Sequence, residues 1–326
     1  MIAVTGGTGH LGNVLVRELI AHGEVVRVLV RPGHSLDSLA GLPVEIARGD
    51  VCDPSSLREA LSGADLVYHL AGLISITPGR EQSMRATNVE GTRNVLAACA
   101  ELCVPRLVYT SSVHAFMELP RGVCLTKDTP IDPERVLGHY AQSKAAATLA
   151  VREAVASGLD VVVAYPSGVI GPFDYKPSEM GQLVLDIFHR KLPLYVDGAD
   201  DFLDVRDVAA GLIAAASRGK AGDGYLLCGR LLRARDLLDA MNLLTGVRTP
   251  KLRAPRRLAR TVGYLTPAYY GLTGKRPLFT TYSIDVLYSN CEMTCEKART
   301  ELGYKPRPFL QTLDDTLHWF RQHDRL

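Results

Sequence analysis

The sequence predicts an α/β fold, in which helices cover both faces of a doubly wound parallel sheet and a smaller C-terminal lobe follows. Three observations support this prediction. Short β-branched runs alternate with longer helical patterns through the first half of the chain. A glycine-rich segment joins the first of these runs to the first helical pattern. From Pro166 onward, glycine, proline and aromatic residues interrupt shorter elements, which indicates a second lobe.

The elements follow in order along the chain. Apolar, β-branched runs predict strands at residues 2–5, 25–30, 44–47, 66–70, 106–110 and 161–165. Helical periodicity predicts helices at residues 11–21, 55–61, 84–102 and 134–157. Near the end, a packed helix is predicted by apolar residues at helical spacing: Leu310, Leu313, Leu317 and Phe320. We assign to the sheet domain residues 1–165, with 202–228 returning to it, and mainly to the C-terminal lobe residues 166–201 and 229–326.

Composition excludes several classes of function. With 326 residues and a net charge of +2, the sequence lacks the concentrated positive charge of proteins that bind duplex nucleic acid. It contains no apolar run near the roughly 20 residues that cross a bilayer, and it opens on a β-branched run instead of a signal peptide. We therefore expect a cytoplasmic protein without stable membrane insertion. For the basic stretch at 251–260, a solvated helix face, a membrane surface and a partner all stay open.

The seven cysteines are scattered along the sequence, which is typical of reduced thiols and not of a disulfide framework. Two CxxxC pairs occur without an accompanying pair of histidines. We therefore predict no metal site.

The glycine-rich segment has the spacing that a dinucleotide requires. Gly6 permits a tight turn, Gly9 allows the backbone to approach a pyrophosphate, and Gly12 allows the helix to pack closely on the strand. Free N–H groups at the start of the following helix bind phosphates. The predicted cofactor-binding residues of this segment are Gly6, Thr8, Gly9, His10, Leu11 and Gly12.

The end of the second strand indicates which dinucleotide is used. A carboxylate at this position binds the ribose hydroxyls of NAD, whereas the sequence has Arg31 and no acid there. A guanidinium pairs with the 2′-phosphate of NADP, so we favour NADP over NAD. The alternative is a solvated arginine at a strand end.

Two further short motifs follow successive strands. Asp50 and Val51 come after the third strand, where the carboxylate is suited to the adenine amino group. Leu70, Ala71 and Gly72 end the fourth strand, where small residues allow the backbone to pass close to the nicotinamide ribose. Because these positions lie at the carboxyl ends of parallel strands, they border the crevice in which such sheets bind ligands.

Three residues form a candidate catalytic set. Ser112 follows the fifth strand, and Tyr140 and Lys144 are four residues apart on a predicted helix, so the last two share one face. A free tyrosine has a pKa near ~10, and a nearby ammonium group favours its ionised form. We predict acid–base catalysis by this tyrosine; a surface pair of tyrosine and lysine is the alternative.

Together these motifs resemble the extended short-chain dehydrogenase/reductases, within the NAD-dependent epimerase/dehydratase family. The resemblance covers nearly the whole chain and is greatest to the dihydroflavonol-reductase-like and hydroxysteroid-dehydrogenase-like branch. It implies a Rossmann-type sheet, Tyr140 as proton donor or acceptor, Ser112 as hydrogen-bond donor to the reacting oxygen, and Lys144 on the nicotinamide ribose. It also implies that Pro166 and Val169 line the nicotinamide end, and that the chain is a homodimer through the helices at 84–102 and 134–157.

The expected activity is hydride transfer between NADP and the carbonyl or alcohol group of a mainly apolar small molecule. Candidate pocket residues are those that follow the strand ends: Ile74, His114, Phe116 and Phe173. Two alternatives stay open, an NAD-dependent sugar-nucleotide epimerase or dehydratase, and a non-catalytic regulator that senses a dinucleotide. The sequence does not identify the substrate.

Overall fold

A computed structural model describes residues 1–75, 79–273 and 281–326, and the side chains of 265–273 are not described. Its main sheet has seven parallel strands in the order β10-β6-β5-β4-β1-β2-β3. These strands are β1 Ile2–Thr5, β2 Val26–Val30, β3 Glu45–Arg48, β4 Leu66–His69, β5 Arg106–Thr110, β6 Val161–Pro166 and β10 Gly224–Leu227. The order runs outward in both directions from β1 and β4, which confirms the predicted doubly wound sheet. The six predicted strands agree with the observed bounds to within one residue.

Helices pack on both faces of this sheet. In the described ranges the helices are α1 His10–Ala21, α2 Pro54–Leu61, α3 Glu81–Arg85, α4 Gly91–Glu101, α5 Gly138–Ala156, α6 Glu179–Phe188, α7 Val205–Arg218, α8 Ala234–Thr245, α9 Arg256–Thr273, α10 Thr281–Tyr288 and α11 Phe309–Gln322. Successive residues of a strand point to opposite faces of the sheet. Val108 is buried in the core on one face, and Tyr109 is buried in the core on the other. The sheet is therefore covered on both sides.

Two predicted helices differ from those observed. The helix predicted at 134–157 begins at Gly138, whose φ of +78° is in the left-handed region. A Cβ on Gly138 would lie 2.6 Å from the Tyr282 ring, so a distant residue fixes this start. The helix predicted at 84–102 contains a π-helical turn, Ala86–Glu90, between α3 and α4. Such turns occur where an extra residue is inserted into a helix, often beside a functional site.

The C-terminal lobe contains a three-stranded sheet in the order β11-β9-β7 and a two-stranded sheet, β12-β8. Their bounds are β7 Gly168–Ile170, β8 Tyr195–Val196, β9 Ala199–Asp204, β11 Arg230–Arg233 and β12 Arg253–Ala254. Residues 202–204 lie in β9 of the smaller sheet, whereas β10 joins the main sheet. Helices α6, α8 and α11 share one apolar core with this lobe.

Helix α11, near the end of the sequence, buries three of its four predicted apolar residues, Leu313, Leu317 and Phe320. The fourth, Leu310, is 47% exposed. The prediction for Leu310 is wrong because this residue lies in the first turn of α11, on the solvent side. In the basic stretch at 251–260, Leu252 and Leu258 are exposed. No helix within the described part of the chain has the length and apolar character needed to span a membrane.

Candidate active site

The glycine loop joins β1 to α1 and leaves no room for a side chain at Gly6 or Gly12. Gly6 has φ +75°, and a Cβ on it would lie 2.6 Å from the Ala71 nitrogen. The Gly9 N–H donates to the Gly6 carbonyl oxygen at 3.0 Å. A Cβ on Gly12 would overlap that same oxygen and would lie 2.7 Å from the Gly7 Cα. The loop thus presents backbone at the start of α1, where N–H groups and the helix dipole favour an anion.

A cleft extends from this loop along the carboxyl ends of β1, β2, β3 and β4. Ten residues predicted to bind the cofactor line it: Gly6, Thr8, Gly9, His10, Arg31, Asp50, Val51, Leu70, Ala71 and Gly72. Six other residues predicted to bind the cofactor are not part of this lining: Leu11, Gly12, Tyr140, Lys144, Pro166 and Val169. Leu11 packs against the core, and Gly12 contacts the loop from behind.

The chemistry of this lining fits a dinucleotide. Backbone N–H groups are present at the glycine loop, a guanidinium at Arg31, and a carboxylate at Asp50. The Asp50 carboxylate accepts a hydrogen bond from Cys52 N at 2.9 Å, which orients it at the end of β3. Among the described residues, Arg31 has no ion pair with a carboxylate, so its charge is available to an anion. These residues would hold the two phosphates and the adenosine of the cofactor.

A directed chain of hydrogen bonds holds the end of β4 against the glycine loop. Thr92 Oγ1 donates to the Asn88 carbonyl oxygen at 2.7 Å, so it accepts from His69 Nε2 at 2.9 Å. His69 Nδ1 is therefore an acceptor for Thr5 Oγ1, at 2.7 Å, and Thr5 Oγ1 accepts from Ala71 N at 3.3 Å. Burial and the nearby Lys144 charge lower the pKa of His69 to about 3, which keeps this ring neutral.

The three candidate catalytic residues come together at the end of β5. Ser112 follows this strand and is 6% exposed, while Tyr140 and Lys144 share one face of α5. Lys144 is 5% exposed, and its Nζ donates to the Thr110 carbonyl oxygen at 2.8 Å. A Cβ on Gly72 would lie 3.6 Å from Lys144 Nζ, so the ammonium group adjoins the wall of the dinucleotide cleft.

Burial dominates the electrostatics of this set. It raises the pKa of Tyr140 to about 12, against the opposing effect of the Ser112 hydroxyl. It also lowers the pKa of Lys144 to about 8. The expected stabilisation of a Tyr140 phenolate by Lys144 is not found, because desolvation outweighs it and the ammonium group hydrogen-bonds to Thr110 instead. The structure therefore keeps Tyr140 protonated at neutral pH, as a proton donor requires.

Asn88 braces α5 next to the catalytic residues. It lies in the π-helical turn, and its Nδ2 donates to Ser143 Oγ at 2.8 Å and to the Leu73 carbonyl oxygen at 3.0 Å. Ser143 Oγ donates in turn to the Tyr140 carbonyl oxygen at 2.7 Å. Sequence analysis did not single out Ser143, although its place between Tyr140 and Lys144 was a usable signal.

The four candidate pocket residues have different environments. Ile74 is 59% exposed beyond β4, and the His114 ring lies 6.4 Å from the Tyr140 ring, edge to face. Burial lowers the pKa of His114, so its imidazole is neutral at pH 7. Phe116 is only 2% exposed and packs 4.6 Å from the Tyr165 ring, within the core. Phe173 lies against α1, with its ring centroid 5.0 Å from the Arg17 guanidinium, and is not part of the cleft lining.

Several residues that were not predicted to bind the cofactor also line the dinucleotide cleft. Those described are Asn13, Leu29, His34, Gly49, Leu73, Thr87, Tyr175 and Lys176. Leu29 and Gly49 adjoin predicted strand ends, so their positions were available from the strand pattern. Tyr175 and Lys176 follow β7, more than 140 residues after Arg31, and no local pattern places them beside β2.

Comparison with known proteins gives consistent findings. The family described as "NAD dependent epimerase/dehydratase family" matches residues 2–228. "Sterol demethylase protein B" of Methylococcus capsulatus is 36% identical over 321 residues, which cover 98% of each chain. "Putative dihydroflavonol 4-reductase" of Synechocystis is 34% identical over 324 residues, which cover 98% of this chain and 94% of the relative.

Two solved structures are similar over their full length. The structure of gox2253 has a TM-score of 0.89 and 33% sequence identity, and the match covers 100% of this chain and 99% of that one. The structure of PA4631, described as a nucleoside-diphosphate-sugar epimerase from Pseudomonas aeruginosa, has a TM-score of 0.82 and 27% identity. That match covers 100% of this chain and 98% of the other.

Proposed function

The chain belongs to the NAD-dependent epimerase/dehydratase family of extended short-chain dehydrogenase/reductases and is an NAD(P)-dependent oxidoreductase; from this premise we propose that it reduces a carbonyl group of a mainly apolar small molecule, or oxidises the corresponding alcohol, with NADP. Tyr140 is the general acid or base of the proposed reaction, and Ser112 and Lys144 act beside it.

The observation that carries this proposal is the group of Ser112, Tyr140 and Lys144 beside the cleft, at what we call its inner end. Ser112 and Lys144 are buried, and Tyr140 is partly buried. Ser112 follows β5, Tyr140 and Lys144 lie on α5, and Lys144 adjoins Gly72 in the cleft wall. Burial of Ser112 and Lys144 limits the access of water to this group, which strengthens hydrogen bonds to a reacting oxygen. A hydroxyl pair and an ammonium group in one dry site are suited to proton transfer to an oxygen next to a dinucleotide.

Each of the three residues has a distinct role in the proposed reduction. Ser112 Oγ accepts from His114 N at 3.2 Å, and its hydroxyl is also hydrogen-bonded to Tyr140. In the proposed reaction a hydrogen bond from this hydroxyl to the carbonyl oxygen would replace the one to Tyr140. NADPH, when bound, supplies the hydride that reaches the carbonyl carbon. Tyr140 donates its proton to the same oxygen, so the product is a neutral alcohol. Lys144 is fixed on the Thr110 carbonyl oxygen, and in the proposed complex its ammonium group would bind the nicotinamide ribose.

The preference for NADP is supported by Arg31 at the end of β2. This guanidinium lines the cleft where an adenosine ribose would lie, and no acid replaces it there. Repulsion between a carboxylate and a 2′-phosphate is therefore missing from this strand end. The alternative, an NAD-dependent sugar-nucleotide epimerase or dehydratase, would use the same catalytic set.

The class of substrate is supported by the relatives. Their names include a sterol, a dihydroflavonol and a farnesyl dihydroquinoline oxide. By analogy with these names, we propose that the substrate is a mainly apolar carbonyl compound. Ile74 and His114 stay candidate contacts for it. A homodimer through the helices at 84–102 and 134–157, and a cytoplasmic location, also stay predictions.

A panel of sterol, flavonoid and alkyl ketones tests the proposal with NADPH absorbance as the signal. We expect turnover with at least one apolar ketone, and Tyr140→Phe should lower kcat by about 10³-fold, within the range for loss of a general acid. The affinity for NADPH should stay within about twofold, because the phenol oxygen contributes little to dinucleotide binding.

The conservative variant Tyr195→Phe is the matched control, since Tyr195 lies in β8 of the C-terminal lobe. Its kcat should equal that of the wild type. A Tyr140→Phe enzyme with full activity would refute the proposed mechanism. Turnover of nucleotide sugars with retained NAD, and none of ketones, would favour the epimerase alternative.

A further inference from the structure

A short segment after β7, Pro172–Lys176, crosses the first turns of α1, and we call it the strap. His10 Nε2 is 2.9 Å from the Pro172 carbonyl oxygen, and Asn13 Nδ2 donates to the Phe173 carbonyl oxygen at 3.1 Å. Phe173 has φ +66°, a left-handed conformation that side chains other than glycine rarely adopt. The contacts with α1 hold the strap in this strained conformation.

Arg17 fastens the strap to two other segments at once. Its guanidinium lies 5.0 Å from the Phe173 ring centroid and donates to Tyr175 Oη at 3.0 Å. It also donates to the Ser38 carbonyl oxygen at 3.0 Å, and Ser38 Oγ donates to the Thr8 carbonyl oxygen at 3.0 Å. The strap, the segment after β2 and the glycine loop are therefore connected through one arginine.

The outer side of the strap is fixed by the end of the chain. The Tyr175 ring lies 5.2 Å from the Trp319 ring and 5.7 Å from the His323 ring, edge to face in both cases. Arg325 donates to the Tyr175 carbonyl oxygen at 3.4 Å. With both sides held, the strap has a defined path, and the position of Lys176 follows from it.

Lys176 lines the dinucleotide cleft together with Arg31 and His34. The charges of Arg31 and Lys176 both contribute to lowering the pKa of His34, after the larger effect of burial, so the three side chains lie near one another. Across the described part of the chain, neither Arg31 nor Lys176 forms an ion pair with a carboxylate. Two cationic side chains therefore lie near the end of β2, and neither is paired with a carboxylate among the described residues.

We propose that Lys176 is a second cationic residue that binds the 2′-phosphate of NADP, and that the strap positions it near the end of β2. This inference rests on the proposed preference for NADP and adds a specificity residue to it. A phosphate monoester carries up to two negative charges near neutral pH, which one guanidinium alone does not neutralise. Arg31 supplies a planar pair of donors, and Lys176 supplies a compact charge.

The position of Lys176 favours the 2′-phosphate over the pyrophosphate. The pyrophosphate of a bound dinucleotide would be held by backbone N–H groups at the start of α1, around Gly9 and His10. Lys176 instead shares its electrostatic neighbourhood with Arg31 and His34, which follow β2. The side chain is exposed, so it adapts to a phosphate without the penalty of a buried charge.

Calorimetric titration with adenosine 2′,5′-bisphosphate and with 5′-AMP tests the inference, because the two probes differ only in the 2′-phosphate. We expect Lys176→Ala to weaken binding of the bisphosphate about 5-fold to 10-fold, the effect of one charge-assisted contact. Binding of 5′-AMP should change by less than about twofold, and Lys176→Arg should retain most of the affinity for the bisphosphate.

Lys220→Ala is the matched control, since Lys220 is an exposed lysine in the turn before β10. It should bind both probes like the wild type. Equal weakening of both probes by Lys176→Ala, or no change in either, would overturn the inference.

Arg31→Ala separates this inference from the cofactor preference on which it rests. If Arg31→Ala loses discrimination between the probes and Lys176→Ala does not, the preference for NADP stands and the role of Lys176 is wrong. If the wild type binds both probes equally, the preference for NADP fails, and the role of Lys176 fails with it.

Discussion

The two ends of the cleft use charge in opposite ways. At the outer end, Arg31 and Lys176 are exposed and have no carboxylate partner among the residues that the structure describes. At the inner end, Ser112 and Lys144 are buried, and the pKa of Lys144 falls to about 8. Solvent screens the outer charges, whereas the interior imposes a desolvation cost on the inner ones.

Binding and chemistry are therefore assigned to different ends of one crevice. The outer end needs affinity, and exposed cations with backbone N–H groups provide it at little cost in stability. The inner end needs groups that are strong in the transition state, and a dry site strengthens them while it destabilises the fold. Substitutions at the outer end should therefore change affinity moderately, and those at the inner end should exchange activity for stability.

The glycine loop joins the two ends, and Gly12→Ala should have the largest effect. The added Cβ would overlap the Gly6 carbonyl oxygen, which is backbone and has no side-chain freedom to move away. We expect a loss of about 3 kcal/mol in the free energy of unfolding, together with loss of measurable NADPH binding. Denaturant unfolding and NADPH titration measure the two effects.

Gly33→Ala separates steric overlap from backbone strain. Gly33 has φ +73°, but a Cβ added to it would meet no heavy atom within 4 Å, so only its conformation opposes the change. We expect a cost of about 1–2 kcal/mol and normal NADPH binding. Equal effects of the two substitutions would contradict the assigned role of Gly12.

Lys144→Met tests the exchange of activity for stability at the inner end. We expect kcat to fall about 10²-fold and the free energy of unfolding at pH 7 to rise by about 1–3 kcal/mol, because a buried ammonium group is replaced by an apolar side chain. In the unfolded chain this lysine has its ordinary pKa of 10.5, and folding lowers that pKa to about 8. Below pH 8 the full cost of burying the charge is present; it declines as the pH rises from 8 toward 10.5.

The stability advantage of Lys144→Met should therefore shrink between about pH 8 and about pH 10. Thermal unfolding of the variant and the wild type at several pH values measures this trend. Lys220→Met serves as control, since an exposed lysine should give a small difference that does not depend on pH in this way. A Lys144→Met protein less stable than the wild type at pH 7 would show that its contact with Thr110 outweighs desolvation.

Arg17→Met should have the smallest effect, at the outer end. It removes the hydrogen bonds to Tyr175 and Ser38 but keeps apolar contact with the strap. We expect the Kd for NADPH to rise about 5-fold, equivalent to roughly 1 kcal/mol, with kcat unchanged. Fluorescence titration measures the Kd, and Arg93→Met on the exposed face of α4 should leave it unchanged. A fall in kcat without a change in Kd would place the strap at the inner end instead.

Much of the fold was predictable because its signals are local. The strands of the main sheet are short buried runs, and alternation with helices requires them to be parallel. The start of α5 was not predictable, because Gly138 takes its left-handed conformation beneath Tyr282, far along the chain. Leu310 was assigned to the core by spacing, although the core side of the first turn of α11 is occupied by Phe309 and Leu310 faces solvent.

The candidate site likewise contains residues with local sequence signals and residues placed only by contacts between distant segments. The Gly6 to Gly12 segment and the Tyr140 and Lys144 pair are each contained within a few residues, so their geometry follows from a turn or from helical spacing. Ser143 belongs to that same turn but acquires its contact only through Asn88. Lys176 reaches Arg31 through the contacts of the strap with α1 and α11, which no local pattern encodes.

The sequence by itself determined the parallel sheet, the dinucleotide loop and the identity of the candidate catalytic residues, because each depends on neighbours within one or two turns. Tertiary structure alone decided the protonation of these residues and the second cation of the cleft. Burial is a property of the whole packed chain, and it sets the pKa values of Tyr140 and Lys144 against what their spacing suggested. The position of Lys176 likewise depends on contacts that form only when distant segments pack together.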